Sequence, residues 1–346
     1  MASIVRGEAS MKDRIPLVLA VGAVFLVGAV YFFMTDRAPG YSYESQRTTY
    51  EGLINRLGPG AAYASFRDSV ITIPIERQHL LAHTFGDALY GKEGIESFKV
   101  CGQDFGFGCY HAVSGHAIAE YGTEVIKDLD IRCVEAYGTS GLGCFHGLGH
   151  GVLAYYGYGI PELKKALIVC ESLSWQRPYG GCPDGVFMEY DFRTMAEAPE
   201  ERGRRFSPEE WEEPCPSVSE RFREACYFSR PAWWRSSLHP DGGLPPGLAD
   251  TLGAYCTQVK GELNQAACYR GIGHALAPNA DFNPARGSKA CDELSPTRAV
   301  VYCREGLAWA FYADPSLRGE AEAVCSAGLP LKEAAMCKGE YLFVIQ

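Results

Sequence analysis

The sequence predicts an all-α fold, a disulfide-stapled array of helical hairpins that follows one N-terminal transmembrane helix. Three observations favour this fold: fourteen cysteines at regular spacing, a short sequence frame that recurs around them, and one long uncharged apolar stretch. The chain has 346 residues, of which 47% are hydrophobic and 21% are charged, so it can build one large domain or two ordinary ones.

The apolar stretch is the first element. Residues 15–34 are twenty consecutive residues without a charge, the length that a helix needs to cross the ~30 Å apolar core of a bilayer. Arg6, Lys12 and Arg14 precede it, and the positive-inside rule then places residues 1–14 in the cytoplasm and the rest of the chain in a periplasmic or extracellular space. A cleaved signal peptide is the alternative, but its apolar segment usually spans about 7 to 15 residues. We therefore predict a single-pass protein of the inner (cytoplasmic) membrane.

The cysteines form seven consecutive pairs, separated by eight residues in the first pair and by eleven or twelve in the others. The pairs are Cys101/Cys109, Cys133/Cys144, Cys170/Cys182, Cys215/Cys226, Cys256/Cys268, Cys291/Cys303 and Cys325/Cys337. A regular, even set of cysteines outside a membrane anchor predicts a disulfide framework in an oxidising compartment. Pairing within each gap uses all the cysteines and is favoured, whereas pairing across units leaves Cys101 and Cys337 over; spacing alone does not decide between the two schemes.

The second cysteine of each pair opens a recurring frame, C-x-x-G-x-G-H, followed by an apolar stretch. The frame reads CFHGLGHG from Cys144. Its third position after the cysteine is glycine in four units, at Gly147, Gly185, Gly271 and Gly306. We expect these positions to serve packing, because a missing side chain lets a neighbouring helix approach closely.

The array begins before the first cysteine pair. The segment RQHLLAH fits the frame with Arg77 at the cysteine place and with His79 and His83 at the histidine places. Counting this segment gives about eight units of 34 to 44 residues, a period typical of helical hairpins. Each unit is predicted to have a short helix that ends at the first cysteine and a longer helix with the second cysteine about two turns inside it. The repeat domain is predicted to span residues 71–346, after a linker and first helix at 35–70.

Two stretches interrupt the pattern, a charged one at 191–214 and a Pro/Gly-rich one at 229–247. Insertions in repeat arrays usually form loops on one face. Trp233 and Trp234 lie in the second stretch and are interpreted as a protein contact surface. The alternative is that both rings cover the apolar surface of the array itself.

Histidines recur in the frame and are candidate metal ligands. The predicted set is His146, His150, His111, His116 and His274. His146 and His150 are four residues apart, as are His79 and His83, so each pair faces one side of a helix and could hold a metal ion or flank a haem. The alternative is a packing role, in which buried imidazoles hydrogen-bond to backbone groups. The sequence predicts no cofactor outright, and metal or haem binding is kept as the alternative.

Several function classes are disfavoured. A net charge of −10 without a basic run argues against nucleic acid as a partner. The chain has no C-x-x-C-H, H-E-x-x-H, G-x-S-x-G, Walker A or dinucleotide-binding fingerprint. Asp184, Glu189 and Asp191 lie close enough in sequence to leave a glycosidase-type carboxylate pair open. Whether the chain is an enzyme is left open.

The segment CFHGLGHG at Cys144 resembles a motif of poorly characterised bacterial extracytoplasmic proteins with repeated C-x-H-G-x-G-H units. In outline the array is also similar to the lanthionine cyclase-like family, a toroid of helical hairpins with a zinc-holding Cys-His-Gly element, and to cysteine-rich Sel1-like arrays. Here Phe145 separates the cysteine from the histidine and the cysteines are paired, so only the architecture is implied. The resemblances imply a curved solenoid or a closed α/α toroid, and we expect an open or partly closed solenoid.

These observations lead to one functional prediction and one alternative. The prediction is a membrane-anchored scaffold or interaction protein, such as an accessory subunit of a membrane complex, because repeat arrays present extended surfaces to protein partners. The alternative is an extracytoplasmic metal- or haem-binding protein or enzyme that uses the repeat histidines. The spatial arrangement of the histidines decides between them: convergence on one place supports chemistry, and dispersion along a ridge supports packing.

Overall fold

The computed structural model describes residues 42–73, 75–138, 142–178, 180–195, 203–240, 242–313 and 317–345. The predicted cytoplasmic segment 1–14 and the predicted transmembrane helix 15–34 lie outside these ranges. Within them, no helix combines the length and the hydropathy that a membrane crossing requires.

The chain divides into two compact units, residues 1–49 and 50–346. Residues 42–49 of the first unit are described, and residues 43–49 lie in the first half of helix α1 (Tyr43–Leu57). The second unit contains helices α2 (Pro59–Val70), α3 (Ile75–Glu93), α4 (Gly108–Tyr121), α5 (Ile126–Tyr137), α6 (Leu142–Tyr156), α7 (Ile160–Cys170), α8 (Gly181–Phe192), α9 (Arg223–Leu238), α10 (Leu248–Cys256), α11 (Glu262–Leu276), α12 (Pro284–Cys291), α13 (Thr297–Ala313), α14 (Arg318–Ser326) and α15 (Leu331–Ile345). The described ranges contain no strand, so the all-α prediction is confirmed for them.

The helices form the predicted repeat. Eight of them, α3, α4, α6, α8, α9, α11, α13 and α15, are the second helices of successive hairpins, and each packs against the next one along the chain. Shorter first helices, α5, α7, α10, α12 and α14, precede five of them. Arg77 lies in α3, so the first copy of the repeat has the same helix as the later copies.

Residues 43–70 contain two helices where one was predicted. The break lies at Gly58, whose φ of 78° is left-handed, and Pro59 then starts the second helix. Proline suits the first position of a helix because its missing N–H has no partner there in any case. The segment before the array is therefore a helix pair, α1 and α2.

Seven disulfides join the cysteines within each gap, so the favoured pairing scheme is confirmed and pairing across units is excluded. The bonds are Cys101/Cys109, Cys133/Cys144, Cys170/Cys182, Cys215/Cys226, Cys256/Cys268, Cys291/Cys303 and Cys325/Cys337. Each bond connects the first part of a hairpin to its second helix. The second cysteine of every pair is fully buried.

The predicted depth of the second cysteine, about two turns inside its helix, is correct in only part of the array. It is correct in α11, α13 and α15, for Cys268, Cys303 and Cys337. It is wrong in α4, α6, α8 and α9, where the second cysteine lies in the first turn, at Cys109, Cys144, Cys182 and Cys226. For Cys182 the reason is Gly180, whose φ of 79° is incompatible with an earlier helical turn. For Cys226 the residues before α9 form a separate short 3₁₀ turn, Glu220–Phe222.

The frame glycines lie where neighbouring second helices touch. A Cβ at Gly185, Gly271 or Gly306 would lie 2.0, 2.1 or 1.8 Å from a carbonyl oxygen of the preceding second helix, and a Cβ at Gly147 would lie 3.1 Å from one. Any side chain at the first three positions would force the helices apart. The predicted packing role of these glycines is confirmed.

The prediction of an exposed contact surface at Trp233 and Trp234 is wrong. Helix α9 continues to Leu238 through much of the supposed loop 229–247, and the two rings are only 2% and 0% exposed. Trp233 donates its indole N–H to the carbonyl of Arg204, and Trp234 donates to that of Trp211. The rings therefore bind the charged insertion to the array, as the alternative interpretation had it.

Candidate metal centre

Two positions of the frame place side chains on one face of each second helix. They are the second and sixth residues after the frame cysteine, or after Arg77 in the first unit, and we call them +2 and +6. Residues four apart lie above one another on a helix, so +2 and +6 face the same way in every unit. The +2 residues are His79, His111, His146, Asp184, Phe228, Arg270 and Glu305, and the +6 residues are His83, Gly115, His150, Met188, Ala232, His274 and Trp309.

The first three units bring five imidazoles together, and we call this group the histidine cluster: His79 and His83 on α3, His111 on α4, and His146 and His150 on α6. The donor nitrogens of His79, His83 and His111 lie within 4.8 Å of one another, and so do those of His111, His146 and His150. The sequence indicated each i, i+4 pair, and the packing of α3, α4 and α6 brings the pairs together around His111.

Close distances join the Nε2 atoms within each pair. His146 Nε2 lies 3.0 Å from His150 Nε2, and His79 Nε2 lies 3.1 Å from His83 Nε2. His111 Nδ1 lies 3.2 Å from His83 Nε2. Metal–imidazole bonds of about 2.0 Å in tetrahedral geometry place neighbouring nitrogens about 3.3 Å apart. The spacing in the cluster therefore matches the edges of a metal coordination polyhedron.

The other ring nitrogen of three histidines is held by an oxygen acceptor. His150 Nδ1 donates to Glu189 Oε2 at 2.8 Å, His146 Nδ1 lies 3.1 Å from Asp184 Oδ2, and His79 Nδ1 donates to the carbonyl of Phe105 at 2.9 Å. A carboxylate or carbonyl only accepts, so the hydrogen bonds of His150 and His79 place the imidazole proton on Nδ1 and leave a lone pair on Nε2. The nearby Asp184 carboxylate favours the same tautomer of His146. This is the arrangement that orients histidine ligands around metals.

The facing lone pairs create an electrostatic requirement. His146 and His150 point two Nε2 lone pairs at each other across 3.0 Å, which is repulsive unless a cation lies between or beside them. Burial lowers the pKa of His150 despite its hydrogen bond to Glu189. Burial also lowers the pKa of His79 to about 4, and burial together with the neighbouring histidines lowers the pKa of His111 well below its usual range. Protonation of His150, His79 and His111 is thus disfavoured, and a metal ion is a cation that these rings can bind.

Glu189 is the most heavily hydrogen-bonded side chain of the centre. It is fully buried, and its Oε2 accepts from His150, from the Thr194 N–H at 3.1 Å and from the Thr194 hydroxyl at 2.6 Å. Its Oε1 accepts from the Tyr158 hydroxyl at 2.8 Å and from the Met195 N–H at 3.0 Å. These five donors satisfy both carboxylate oxygens, and the carboxylate in turn holds the His150 ring.

The three neighbouring carboxylates have different partners in the structure. Asp184 and Glu189 contact histidines of the cluster, and Asp191 is buried in an ion pair with Arg230, with Arg204 3.2 Å from its other oxygen. Asp191 therefore anchors the charged insertion and is not part of the centre.

Two of the five predicted metal ligands lie outside the cluster. His116 is one position beyond +6, on α4, and its side chain is 47% exposed, with Nε2 2.9 Å from Asp87 and its ring stacked on Tyr90. His274 is at +6, but its neighbours are the rings of Phe228 and Trp309, and burial lowers its pKa. The structure brings His111, His146 and His150 together, whereas His116 and His274 belong to neither set of donor nitrogens, although the charges of Asp184 and His146 also act on the pKa of His274.

Sequence reasoning left four members of the centre out of the predicted set. His79 and His83 fit the frame, but an arginine replaces their cysteine, and the same face of α3 carries both. Asp184 occupies the +2 position of the fourth unit, and His146 occupies the +2 position of the third. Aligning the units by their frame cysteines could therefore have identified Asp184 as a neighbour of His146. Glu189 lies outside both places, and no sequence signal indicates its contact with His150.

The donor set favours a borderline transition metal. All fourteen cysteines are in disulfides, so frame cysteines such as Cys182, Cys226 and Cys268 offer no thiolate, and the clustered donor groups are imidazoles. Neutral imidazole suits Zn²⁺, Cu²⁺, Ni²⁺ and Fe²⁺. A haem between two axial histidines does not fit, because Nε2 atoms 3.0 or 3.1 Å apart leave no room for a macrocycle.

Comparisons of the chain with protein families, with curated proteins and with solved structures find no match.

Proposed function

We propose that this protein is a membrane-anchored, extracytoplasmic metal-binding protein that holds a divalent transition-metal ion in the histidine cluster. The observation that carries the proposal is the 3.0 Å distance between the Nε2 atoms of His146 and His150, each of which has its Nδ1 beside a carboxylate oxygen. A packing histidine has no reason to turn its lone pair toward that of another histidine. A metal ligand has one, because both lone pairs bind the same ion.

The charges around the cluster support the same function. Asp184 and Glu189 place two carboxylates behind the imidazoles, and each makes its histidine a stronger donor. Both carboxylates are largely or fully buried, where their charge acts on the centre with little screening by water. The result is a neutral set of ligands in a negative surrounding, which favours a dication.

Cu²⁺ and Zn²⁺ are the ions we expect to bind most tightly. Divalent affinities for nitrogen sites rise along the first row to Cu²⁺ and fall again at Zn²⁺. Thiolate coordination is excluded because the cysteines are in disulfides, and oxygen-rich coordination is excluded because the clustered donor atoms are nitrogens. Mg²⁺ and Ca²⁺ are therefore poor candidates.

The location of the centre is part of the proposal. Residues 15–34 support an anchor in the inner membrane, with the array outside it, and the seven disulfides support an oxidising compartment. Fusion of a reporter enzyme to the C-terminus, active only in the periplasm or only in the cytoplasm, tests this orientation. Activity of the cytoplasmic reporter would contradict it.

The scaffold function is compatible with a metal centre and stays a proposal of its own. The repeat array supports it, because such arrays present extended surfaces on which an accessory subunit can bind a membrane complex. Pull-down of the full chain in mild detergent tests it. Recovery of the chain alone, without a stoichiometric companion, would count against it.

Metal analysis of the full-length chain, purified in mild detergent without chelator, tests the leading proposal. We expect bound Cu²⁺ or Zn²⁺, lost on treatment with a strong chelator and restored by adding the ion. His150→Ala should reduce the amount of ion bound or its affinity, whereas His116→Ala, which removes an exposed histidine outside the cluster, should leave both unchanged. Equal binding by both variants, or no binding by the wild-type protein, would refute the metal function.

A further inference from the structure

One imidazole occupies the middle of the histidine cluster. The ring of His111 lies 5.2 and 5.1 Å from those of His79 and His83, and 5.2 and 4.3 Å from those of His146 and His150, measured between ring centroids. The two i, i+4 pairs are on opposite neighbours of α4, one on α3 and one on α6. His111 is therefore the only member of the cluster that belongs to both sets of donor nitrogens among the described residues.

The two nitrogens of His111 have different surroundings. Nδ1 lies 3.2 Å from His83 Nε2, on the side of the first pair. Nε2 is buried and has no hydrogen-bond partner among the described residues. A buried imidazole nitrogen without a partner costs free energy on the order of 1–3 kcal/mol unless something binds it. The second nitrogen thus indicates a ligand that the protein alone does not supply.

From this geometry we infer that the histidine cluster is a two-metal centre, with one ion on His79 and His83, a second ion on His146 and His150, and His111 as the bridge between them. The inference rests on the proposed metal-binding function and adds the number of ions and their shared ligand. It follows from the two sets of three donor nitrogens, which overlap at His111. Each set consists of one i, i+4 histidine pair and one nitrogen of His111.

The bridge has a defined proton balance. A neutral imidazole has one lone pair, so His111 can bind the first ion without losing a proton. Binding of a second ion to its other nitrogen requires the ring proton to leave to solvent, and the ring then carries one negative charge. This charge, with those of Asp184 and Glu189, partly offsets the four positive charges of the two ions.

The two subsites are expected to differ in affinity. The pair His146/His150 is backed by two carboxylates, whereas the described acceptor behind His79 is a backbone carbonyl. Removing such an outer partner typically lowers metal affinity 10- to 100-fold. We therefore expect the His146/His150 subsite to fill first and the His79/His83 subsite to fill at higher metal concentration.

Titration of the full-length metal-free chain with Cu²⁺, followed by metal analysis after gel filtration, tests the inference. We expect two ions per chain, with one ion per chain in the double variants His79→Ala/His83→Ala and His146→Ala/His150→Ala. One ion per chain in the wild-type protein would overturn the two-metal centre and leave the metal function standing. No bound ion would overturn both.

Electron paramagnetic resonance of the protein with two Cu²⁺ ions tests the bridge separately. Two Cu²⁺ ions that share an imidazolate couple magnetically. We therefore expect the total signal of the protein to decrease when the second ion binds. The conservative variant His111→Phe keeps an aromatic ring and removes both donor nitrogens, and any Cu²⁺ it binds should give an uncoupled signal. A full, uncoupled signal from two ions in the wild-type protein would show two independent sites and overturn the bridge.

Discussion

Replacing Glu189 by glutamine exchanges one carboxylate oxygen for an NH₂ group and keeps the size of the side chain. If the amide oxygen takes the place of Oε2, the His150 and Thr194 donors keep an acceptor, although a neutral one. The NH₂ group then faces the Tyr158 hydroxyl, which can rotate to accept, and the Met195 N–H, which cannot. The opposite orientation leaves two N–H donors without an acceptor, those of Thr194 and His150, and is worse.

The better orientation therefore leaves one buried backbone N–H unsatisfied. The expected loss in the free energy of unfolding of the metal-free protein is about 1–3 kcal/mol. The hydrogen bond to His150 also loses its charge-assisted character, and changes to such outer partners typically lower metal affinity 10- to 100-fold. Both effects have the same origin, the loss of the negative charge behind the ring.

Urea unfolding of the metal-free protein and chelator competition for the bound ion measure the two quantities. Glu120→Gln is the matched control: Glu120 also accepts from a tyrosine hydroxyl, that of Tyr90 at 2.6 Å, but it is exposed and contacts no member of the histidine cluster. We expect the control to leave both measurements unchanged. A Glu189→Gln protein with wild-type stability and wild-type affinity would refute the role given to this carboxylate.

Three further predictions follow from packing, covalent structure and burial. Gly185→Ala places a Cβ 2.0 Å from a carbonyl oxygen of α6 and should destabilise the protein by about 1–3 kcal/mol or more. The control Gly52→Ala, in a helix where a Cβ would have nothing within 4 Å, should stabilise the protein by about 0.5–1 kcal/mol. Urea unfolding compares the two variants, and equal effects would contradict the close approach of α6 and α8. Replacing Cys291 and Cys303 together by alanine opens a bond that spans 12 residues and should cost about 3 kcal/mol in the same assay, with an unchanged midpoint as the contrary result. Burial holds the pKa of His79 at about 4 in the folded protein, below its ordinary 6.5, so between these pH values the unfolded chain takes up a proton that the folded chain does not. The free energy of unfolding of the metal-free protein should therefore be unaffected by this group above pH 6.5 and should fall as the pH drops from 6.5 to 4. A His79→Ala variant should show a shallower fall in the free energy of unfolding over the same range.

The nearly constant cysteine gap predicted the hairpin repeat and favoured the disulfide pairing that the structure has, because the same short spacing recurs in every unit. Each first cysteine and its partner are close in sequence, so the hairpin itself brings them together. The frame glycines were predictable for the same reason. A residue such as Gly185 serves one contact, between adjacent second helices, and the repeat copies that contact.

The sequence failed where contacts join distant segments. Trp233 lies in a Pro/Gly-rich stretch that was predicted to be a loop, yet its ring is buried, and the guanidinium groups of Arg204 and Arg230 lie 4.8 and 4.9 Å from it. Arg204 comes from the charged insertion, and composition does not reveal where that insertion binds.

The histidine set shows the same limit. His116 was selected by its place near the frame, but one residue on a helix is a turn of about 100°, and it directs the ring to the exposed side beside Asp87. His274 keeps the correct register, and its neighbours in the adjacent units, Phe228 and Trp309, are not ligands. The position of a residue in the frame predicts the direction of its side chain. The residues at the equivalent positions of the neighbouring units determine which groups that side chain contacts.

The disulfides also bear on the cost of binding an ion. In α4 and α6 the cross-linked residue is only two positions before a ligand, Cys109 before His111 and Cys144 before His146. The backbone that carries these rings is thus fixed when the protein is oxidised, before any metal arrives. The entropy lost in ordering the proposed ligands is then lost during oxidative folding, so an ion that bound there would lose less of its binding free energy to ordering these side chains.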